Sequence, residues 1–551
     1  MGTNRFFCGL GLLGALCLLT PQAAQAQTFP APEYWRGMVR RPRPATHPPE
    51  PQDLHNYVVE GKLRLSLADA IRLTLANNTE IQINQLDFAD SRFAIDRAYQ
   101  LFDPVFAATF NTRRSTTPTT TQLAGAATLT DLNQTTSAGF TQQFFTGTRY
   151  TIDFSGNKST TNSSFASFNP SIAAGLDFSV TQPLLRNRGI VPNKAPLIIA
   201  RRNFEGSRNT FAGQVQDSLQ RAINRYWDVV QARDSLVVLR KSLDLAETTY
   251  ALDKRKLELG ALPPLDIFRS ESQVASRRVQ VIQAEYRLKQ IEDELRREIG
   301  ADLDTKIRAL DLELVEPAEP QGELLAVDLQ QAVEQALKQR PELSAARLQV
   351  ENDVTSIRVA HNAMQPDLSL TGFYSSSGRG GNAIDTSVVP PLLLSRGGLG
   401  DALEQLSSFD FPAYGFTLAL RLPIKNRTAA ADLGSALVTQ KRNLYSLRQQ
   451  EQAVILEARN AVHQLEQGKL AMTASRIAVD LARKNLEAEQ RKYDLGAQTI
   501  FFVLDAQNQL AQDEQNLLQS QIDYQRAVTA VQRATGALLT RHNIEIRDPM
   551  K

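Results

Sequence analysis

Two long stretches of this 551-residue chain repeat each other's residue pattern at fixed offsets. At an offset of 262 residues, which relates Pro104 to Pro366, the recurring residues are Leu67, Ala70, Leu75, Glu80, Leu86, Ile95, Ala98 and Thr109, matched by Leu329, Ala332, Leu337, Glu342, Leu348, Ile357, Ala360 and Thr371. A second block recurs at an offset of 236 residues, which relates Gly260 to Gly496. Because a period this long is typical of a duplicated domain rather than a short solenoid unit, we expect two halves of one architecture with loops of different length.

The N-terminus has the pattern of a secretory signal, predicted over residues 1–26. Arg5 supplies the positive region, Phe6 to Leu19 form a short apolar stretch, and Ala24-Gln25-Ala26 is a small-x-small cleavage site. Both cysteines, Cys8 and Cys17, lie inside this segment, so the mature chain has no disulfide or thiolate metal site. The alternative is a retained anchor helix, although the apolar stretch is shorter than the ~20 residues that span a bilayer. A lipid anchor at Cys17 is disfavoured because Leu16, rather than a small residue, precedes it.

Residues 27–60 form a Pro-rich extension that includes the basic residues Arg40, Arg41 and Arg43. This segment is interpreted as a solvated tether, with contact to anionic lipid or the cell wall as the alternative. Over the whole chain, 61 Lys and Arg oppose 59 Asp and Glu, a net charge of +2. Such a balance predicts no basic face, so nucleic acid is a poor partner.

Helical patterns dominate the rest of the chain. The predicted helices run over about 66–102, 195–259, 265–299, 325–363, 429–495 and 501–537. The longest two would each approach ~100 Å, so they must pack along one another in a coiled-coil manner. Each long helix ends at Leu-Gly-Ala, at Leu259-Gly260-Ala261 and at Leu495-Gly496-Ala497. Glycine at this place is a helix stop, which predicts two long hairpins with free tips.

Strand patterns lie between the helices, near 105–112, 172–182, 367–374 and 413–422, with an extra hairpin near 137–156 in the first half only. Apolar residues alternate with small or polar residues along each strand. A membrane β-barrel with lipid outside and water inside fits this alternation, and a soluble sandwich is the alternative. Four strands per protomer are expected, or six if the hairpin joins them. The stretches 112–136 and 375–400 are expected to be mobile outer loops.

No pattern of catalytic or cofactor-binding residues is present. The five histidines are scattered without metal-ligand spacing. Gly378-Arg379-Gly380-Gly381 lacks the strand–turn–helix context of a phosphate-binding loop. We therefore expect no enzyme activity, no cofactor and no metal.

The signal segment, the two helix–strand–strand–helix halves and the Leu-Gly-Ala turns together resemble the outer-membrane efflux protein (TolC-like) family. The resemblance covers roughly Leu63 to Leu539 and is most specific at the second tip, residues 495–506, and at Gln182-Pro183-Leu184. It implies an α+β membrane protein. The resemblance implies that three protomers share a transmembrane β-barrel and a long α-helical coiled-coil tunnel. Each protomer is expected to have two internal repeats, over 61–300 (strands within 104–183) and 326–545 (strands within 366–423), joined by a linker over 301–325.

The resemblance also implies function and partners. It predicts an outer-membrane channel with a large periplasmic part that passively conducts substrates from an inner-membrane transporter and a periplasmic adaptor. A homotrimer in contact with outer-membrane lipid is implied. The outer component of a type I protein secretion system is an alternative, as is a structural coiled-coil envelope protein. The sequence does not choose the transported substrate, the adaptor or the pump.

Site residues follow from the resemblance as well. Adaptor-binding residues are expected at the tips: Leu259, Gly260, Ala261, Leu495, Gly496 and Ala497. A tunnel gate is expected at Asp266, Tyr493, Gln498, Phe502 and Asp505. Two of these depart from the family pattern, because Gln498 stands where an arginine can pair with the first aspartate and Phe502 stands where a second ring aspartate is usual. A phenyl ring would close a threefold pore by apolar contact, whereas a carboxylate ring binds cations.

Overall fold

The computed structural model describes residues 47–119, 127–259, 265–388 and 392–546. The chain divides into two compact units, residues 1–50 and 51–551. Of the first unit only 47–50 are described, and they are irregular and exposed. The predicted signal segment, Cys8, Cys17 and the cluster Arg40, Arg41 and Arg43 lie outside the described residues.

The second unit begins with short elements that pack into a helical core. A 3-10 helix, Leu54–Tyr57, is followed by β1 (Val58–Val59) and β2 (Lys62–Leu65). Leu54 is fully buried, so the end of the predicted Pro-rich tether packs against the core instead of extending into solvent. A later strand, β7 (Asp311–Leu314), lies parallel to β2 and completes a three-stranded sheet. Part of the predicted linker over 301–325 is therefore built into this sheet.

Each half begins with two helices where the sequence predicted one. The first pair is α1 (Leu67–Asn77) and α2 (Thr79–Tyr99), and the second is α5 (Leu329–Gln339) and α6 (Pro341–Ala363). The prediction of single helices over 66–102 and 325–363 was wrong for two local reasons. Asn78 is extended and its side chain accepts from the N–H groups of Glu80 and Ile81, which starts a new helix. Pro341 occupies the first turn of α6 and holds the preceding residue in an extended conformation.

Two hairpins of long helices follow the predicted pattern closely. The helices are α3 (Ile190–Glu258), α4 (Asp266–Glu298), α8 (Arg427–Asp494) and α9 (Ile500–Ala534), with a short α10 (Leu538–Arg541) at the end. At 1.5 Å per residue, the 69 residues of α3 and the 68 residues of α8 each extend ~100 Å. Helices α3 and α4 pack together, as do α8 and α9. None of the described helices combines the length and the apolarity needed to cross a membrane.

Buried residues form two main helical cores. The first centres on α3, where Tyr226 and Trp227 stack edge-on with ring centroids 5.7 Å apart. The second joins α5, α6, α8 and α9 and consists largely of alanine. Small residues let these helices approach closely. At Gly468, for example, a Cβ would lie 3.3 Å from the backbone of Tyr524.

Strands of both halves form one antiparallel sheet. Its order is β10-β8-β6-β5-β4-β3, and short β9 pairs with the far end of β8. The strands are β3 (Val105–Pro118), β4 (Thr128–Gln143), β5 (Arg149–Thr161), β6 (Phe168–Pro183), β8 (Asp367–Asp385), β9 (Leu392–Ser395) and β10 (Pro412–Arg421). The predicted extra hairpin joins this sheet as β4 and β5.

Most of the two predicted outer loops is regular structure. Strand β3 continues to Pro118 and β4 starts at Thr128, because β-branched threonines sustain the pairing, as where the hydroxyls of Thr116 and Thr130 lie 3.1 Å apart. The second predicted loop contains the far half of β8 and all of β9, and a helix, α7 (Leu399–Ser408), begins at its end. Only residues 120–126 and 389–391 of these stretches lie outside the described residues.

Candidate gate and tips of the helical hairpins

The tip of the second hairpin is a glycine-terminated helix end. Gly496 has φ +71°, a conformation that side chains with a Cβ rarely adopt. The N–H of Ala497 donates to the carbonyl of Lys492 at 3.0 Å, which satisfies a carbonyl of the last helical turn. The glycine is therefore needed at this place to reverse the chain into α9.

Both tips carry a strongly exposed leucine. Leu259, at the end of α3, is 83% exposed and Leu495, at the end of α8, is 84% exposed. Gly260 and Ala261, the other two expected adaptor contacts of the first tip, lie outside the described residues. A large apolar side chain left in water at the end of each hairpin is a natural contact point for another protein.

A buried carboxylate ties three helices together about one to two turns above the tips. Asp253 of α3 is fully buried and accepts hydrogen bonds from the hydroxyl of Tyr493 on α8, at 2.5 Å, and from the hydroxyl of Ser270 on α4. Burial, followed by the hydrogen bond and the charge of Asp253, raises the pKa of the Tyr493 phenol well above its usual value of 10. Tyr493 is therefore a neutral hydrogen-bond donor over the physiological range.

Two further residues of α3, one turn before and one turn after Asp253, also contact neighbouring helices. Thr249, one turn before Asp253, accepts from the side-chain amide of Gln507 on α9 at 2.9 Å, and both side chains are buried. Lys256, one turn after Asp253, places its ammonium 3.7 Å from the centre of the Tyr493 ring. The spacing 249, 253 and 256 puts these three side chains on one face of α3, so a single helix face contacts α4, α8 and α9.

The predicted gate residues divide into two groups. Tyr493 and Asp266 lie near each other, since the charge of Asp266 contributes to the raised pKa of Tyr493. Yet the acceptor of the Tyr493 hydroxyl is Asp253, which no sequence motif singles out. Gln498 is half-buried, and its Oε1 has no donor within the described part of the chain.

Phe502 and Asp505 belong to the first turns of α9. Phe502 is 45% exposed, and its ring meets that of Phe501 edge-on with centroids 5.5 Å apart. Asp505 is exposed and lines a groove between α4 and α9 together with Phe501, Arg269 and Asn508. Phe501 therefore shares the groove of Asp505, while Phe502 does not line it.

One buried cation beside this groove was not predicted. Arg277 of α4 is 9% exposed and donates to the side chains of Asn508 and Gln280, the latter at 3.0 Å. Burial lowers the pKa of its guanidinium. A signal was present in the sequence, because Thr249, Asp253, Ser270, Arg277 and Gln507 are polar residues at the inward positions of otherwise apolar helix stripes. From the sequence alone, however, these polar residues would be predicted to lie in solvent, because the neighbouring helices that bury them are not known.

No group of three or more His, Cys, Asp or Glu side chains suited to a metal ion occurs in the described ranges. The polar residues near the tips are instead hydrogen-bonded to each other across helices. Such an arrangement holds helices in register and can release them. It offers no nucleophile–base pair for catalysis.

This chain is similar to a known protein family and to a curated protein of that family. The family model described as outer membrane efflux protein matches residues 70–301 and 332–537. A curated relative, outer membrane protein TolC of Vibrio cholerae, is 22% identical over 386 residues, which cover 69% of this chain and 80% of TolC. The matched family and these relatives are channels rather than enzymes.

Solved structures share the fold. CusC has a TM-score of 0.62 at 17% identity, with 90% of this chain and 98% of CusC covered. The CmeC outer membrane channel of Campylobacter jejuni has a TM-score of 0.60 at 14% identity, covering 91% and 98% of the two chains. The outer membrane channel MtrE of Neisseria gonorrhoeae, solved in an open state, has a TM-score of 0.59 at 16% identity, covering 86% and 89%.

Proposed function

This chain belongs to the outer membrane efflux protein family, and we propose from that membership that it is the outer-membrane duct of a tripartite efflux pump. It is a transport protein of the outer membrane. In the proposal it conducts substrates passively, while an inner-membrane transporter supplies the energy and a periplasmic adaptor joins the two. The observation that carries the proposal is the open, two-faced sheet placed at one end of two ~100 Å helical hairpins.

The sheet has one apolar and one polar face. One row across it consists of Tyr414, Tyr374, Phe178, Ile152, Phe140 and Phe106, all opposite one another. The residues an odd number of positions away along each strand point to the other face and include Asp177, Asp153, Ser375 and Thr417. Lipid on the first side and water on the second would suit these residues.

Both edges of the sheet are long strands. Within the described ranges, β3 pairs only with β4, and β10 pairs only with β8. Unpaired backbone groups are costly in a membrane, so such edges need partners. Three copies would pair β3 of one protomer with β10 of the next and close a barrel. With the six strands on the main path, that barrel has eighteen strands, a size that leaves an aqueous channel.

Each of the two internal repeats contributes helices and strands to the proposed channel. Residues 61–300 and 326–545 each contribute one long hairpin, and three protomers therefore supply six hairpins for a periplasmic tunnel. The strands of both repeats meet in the sheet through the pairing of β6 with β8.

The proposed gate is the region where α3, α4, α8 and α9 meet near the tips. Tyr493 and Ser270 hold Asp253 and thereby tie one hairpin to the other. Phe502 and Asp505, repeated three times around a threefold axis, would form an apolar ring and a carboxylate ring. Opening then requires the hairpins to part, which breaks the Tyr493–Asp253 hydrogen bond.

Purified protein tests the duct directly. A heat-modifiable trimer on gel electrophoresis, together with ion conduction across planar lipid bilayers, is the expected result. A monomer without conductance, or a sheet buried in a soluble assembly, would contradict the proposal.

Adaptor docking is tested at the exposed tip leucines. Replacing both Leu259 and Leu495 by Asp should abolish cross-linking to the adaptor and efflux, because each substitution charges the end of a hairpin without touching its packed face. Leu470→Asp on the shaft of α8 is the matched control, since it introduces the same charge at a leucine that is 72% exposed and lies 25 residues before Leu495. Loss of cross-linking in the control as well, or retention in the double variant, would refute tip docking.

A further inference from the structure

Helix α7 lies on the apolar face of the sheet and begins at the end of the stretch 375–400 that was predicted to be a mobile loop. It covers Ile172 and Ala174 of β6, which are buried against Ala402 and Leu406 of the helix. The side chains of Ile172 and Ala174 belong to the same face as the row of aromatic residues described above, because they lie an even number of positions from Phe178.

Glycines in β8 create the space for this helix. A Cβ at Gly378 would lie 2.0 Å from the carbonyl oxygen of Ala402, and a Cβ at Gly380 would lie 2.0 Å from that of Gly398. Direct polar contacts add to the fit, since the N–H of Arg379 donates to the side chain of Gln405 at 2.9 Å. The glycine-rich segment is thus a docking strip for the backbone of α7.

The helix has three distinct sides at ~100° per residue. Ala402 and Leu406 face the sheet. Leu399 and Leu403, on the adjoining side, remain 53% and 38% exposed. Asp401, Glu404 and Ser408 occupy the opposite side. A helix with one packed, one exposed apolar and one charged side fits a boundary between apolar and aqueous surroundings.

The position of α7 on the sheet matches that boundary. Gly380 and Ile172, which α7 covers, lie opposite each other on β8 and β6. On the neighbouring strands the residues in line with them, on the same face of the sheet, are the polar Lys158, Gln134 and Thr112. One row closer to the long helices, the face carries Ala174, Thr136 and Phe110, and the row after that is largely apolar, with Leu176, Phe154, Ala138 and Ala108. Residues 172–180 of β6 span about 27 Å along the strand, or about 21 Å at a tilt of 40°, close to the ~25 Å apolar band of membrane barrels.

We propose that α7 is an interfacial helix that lies in the outer edge of the membrane and binds lipid acyl chains along Leu399 and Leu403. A notch between the helix and β6 is lined by the apolar Leu176, Leu403, Leu406 and Phe409 together with the polar Glu404 and Ser407, and in this proposal its apolar part accommodates the end of an acyl chain. Leu403 of the helix and Leu176 of β6 line the same notch, so the exposed apolar side of α7 adjoins the apolar face of the sheet, which favours lipid over a protein partner. This inference rests on the proposed barrel.

Spin labels on single cysteines test the placement. The background carries Cys8→Ser and Cys17→Ser, and single cysteines replace Leu403 (lipid side), Glu404 (charged side) and Leu418 (middle of the apolar face). The protein is reconstituted in phosphatidylethanolamine–phosphatidylglycerol vesicles. Collision with oxygen reports lipid, and collision with a water-soluble nickel chelate reports water.

We expect labels at 403 and 418 to collide preferentially with oxygen, with 403 the shallower, and the label at 404 to collide with nickel. Nickel access at 403 with oxygen access at 418 would overturn the helix placement and leave the barrel intact. Low access to both reagents at 403 would mean that protein covers the helix, and would also overturn it. Nickel access at 418 would remove the barrel and this inference together. Leu399→Cys repeats the measurement one turn earlier if Leu403→Cys does not fold.

Discussion

The hydroxyl of Tyr493 donates to Oδ1 of Asp253 at 2.5 Å, and the two residues are 240 positions apart in the chain. One lies on α8 and the other on α3, so this single bond connects the two long hairpins near their tips. Since Asp253 is fully buried, the contact is formed away from competing water.

Tyr493→Phe should loosen the tips. It removes one of two hydroxyl donors from a buried carboxylate, a loss of about 1–3 kcal/mol. We expect faster amide hydrogen exchange at residues 490–500 and a higher resting conductance in planar bilayers. Tyr445→Phe is the control, because that tyrosine lies on the same helix but is 62% exposed. Equal behaviour of the two variants would show that the hydroxyl of Tyr493 does not restrain the tip.

The same bond predicts a dependence on alkaline pH. Because the pKa of Tyr493 is raised in the folded protein, its contribution to stability is complete below pH ~10, where the phenol of the unfolded chain is also protonated. It is lost as the pH rises further. The difference in melting temperature between wild type and Tyr493→Phe should therefore be constant from pH 7 to 9 and shrink above pH 10. A difference that grows above pH 10 would contradict the assignment.

Phe502→Ala and Asp505→Ala separate the two proposed rings. The first should widen the resting pore and raise basal conductance. The second should weaken cation selectivity and block by divalent or trivalent cations, with an effect that fades as salt screens the carboxylates. Single-channel recordings measure both. Phe501→Ala is the comparison, because Phe501 lies in the groove between α4 and α9. Unchanged conductance and selectivity would place neither ring residue in the pore.

Gly496→Ala should destabilise the protein by about 1–2 kcal/mol. No atom lies within 4 Å of the added Cβ, so the cost comes from the positive φ alone. Gly434→Ala provides a control of opposite sign, since that glycine is inside α8 with equally open space, and alanine favours the helix by about 1 kcal/mol. Chemical unfolding measures the change in the free energy of unfolding for both variants. A change of the same sign in both would exclude the explanation by backbone conformation.

Arg533→Met should destabilise the fold by about 1–3 kcal/mol, because hydrogen bonds to charged groups are lost around carboxylates that are themselves partly exposed. The largely buried guanidinium of Arg533 on α9 bonds Asp217 of α3, Glu342 of α6 and Glu457 of α8 at 2.7, 3.1 and 2.9 Å. Its loss would remove the guanidinium partner of Asp217 and leave Arg340 alone to pair with Glu342 and Glu457. Arg483→Met, whose side chain is 63% exposed and 3.8 Å from Glu514, should cost at most about 1 kcal/mol. Thermal unfolding measures the contrast, and similar shifts in the two variants would show that the network adds little.

Gly378→Ala should displace α7 from the sheet, because the added methyl group collides with the backbone of Ala402. Gly372→Ala is matched to it, being on the same face of the same strand with nothing within 4 Å of a Cβ. Limited proteolysis at residues 396–410 should accelerate only in the first variant. Equal protection in both would mean that the close contact is not required.

The residue repeats and the helix-stop glycines in the sequence determined the main helices of this protein and where they end. The 262- and 236-residue offsets predicted paired helices in both halves, and the long hairpins end within a residue or two of Leu259 and Leu495. These features are local, since helix stops and the period-two alternation act through neighbouring residues. The family resemblance drawn from them was confirmed by the match over residues 70–301 and 332–537.

Only the tertiary structure decided which polar residues matter and where the strands end. Asp253 and Arg277 look solvated until the neighbouring helices cover them, because burial is a property of neighbours that are distant in sequence. The glycines at 378 and 380 resemble loop residues in isolation, yet they pair with β6 as part of β8, and a helix backbone approaches them too closely for a Cβ. Long-range packing supplies the reason for both, and no local pattern encodes it.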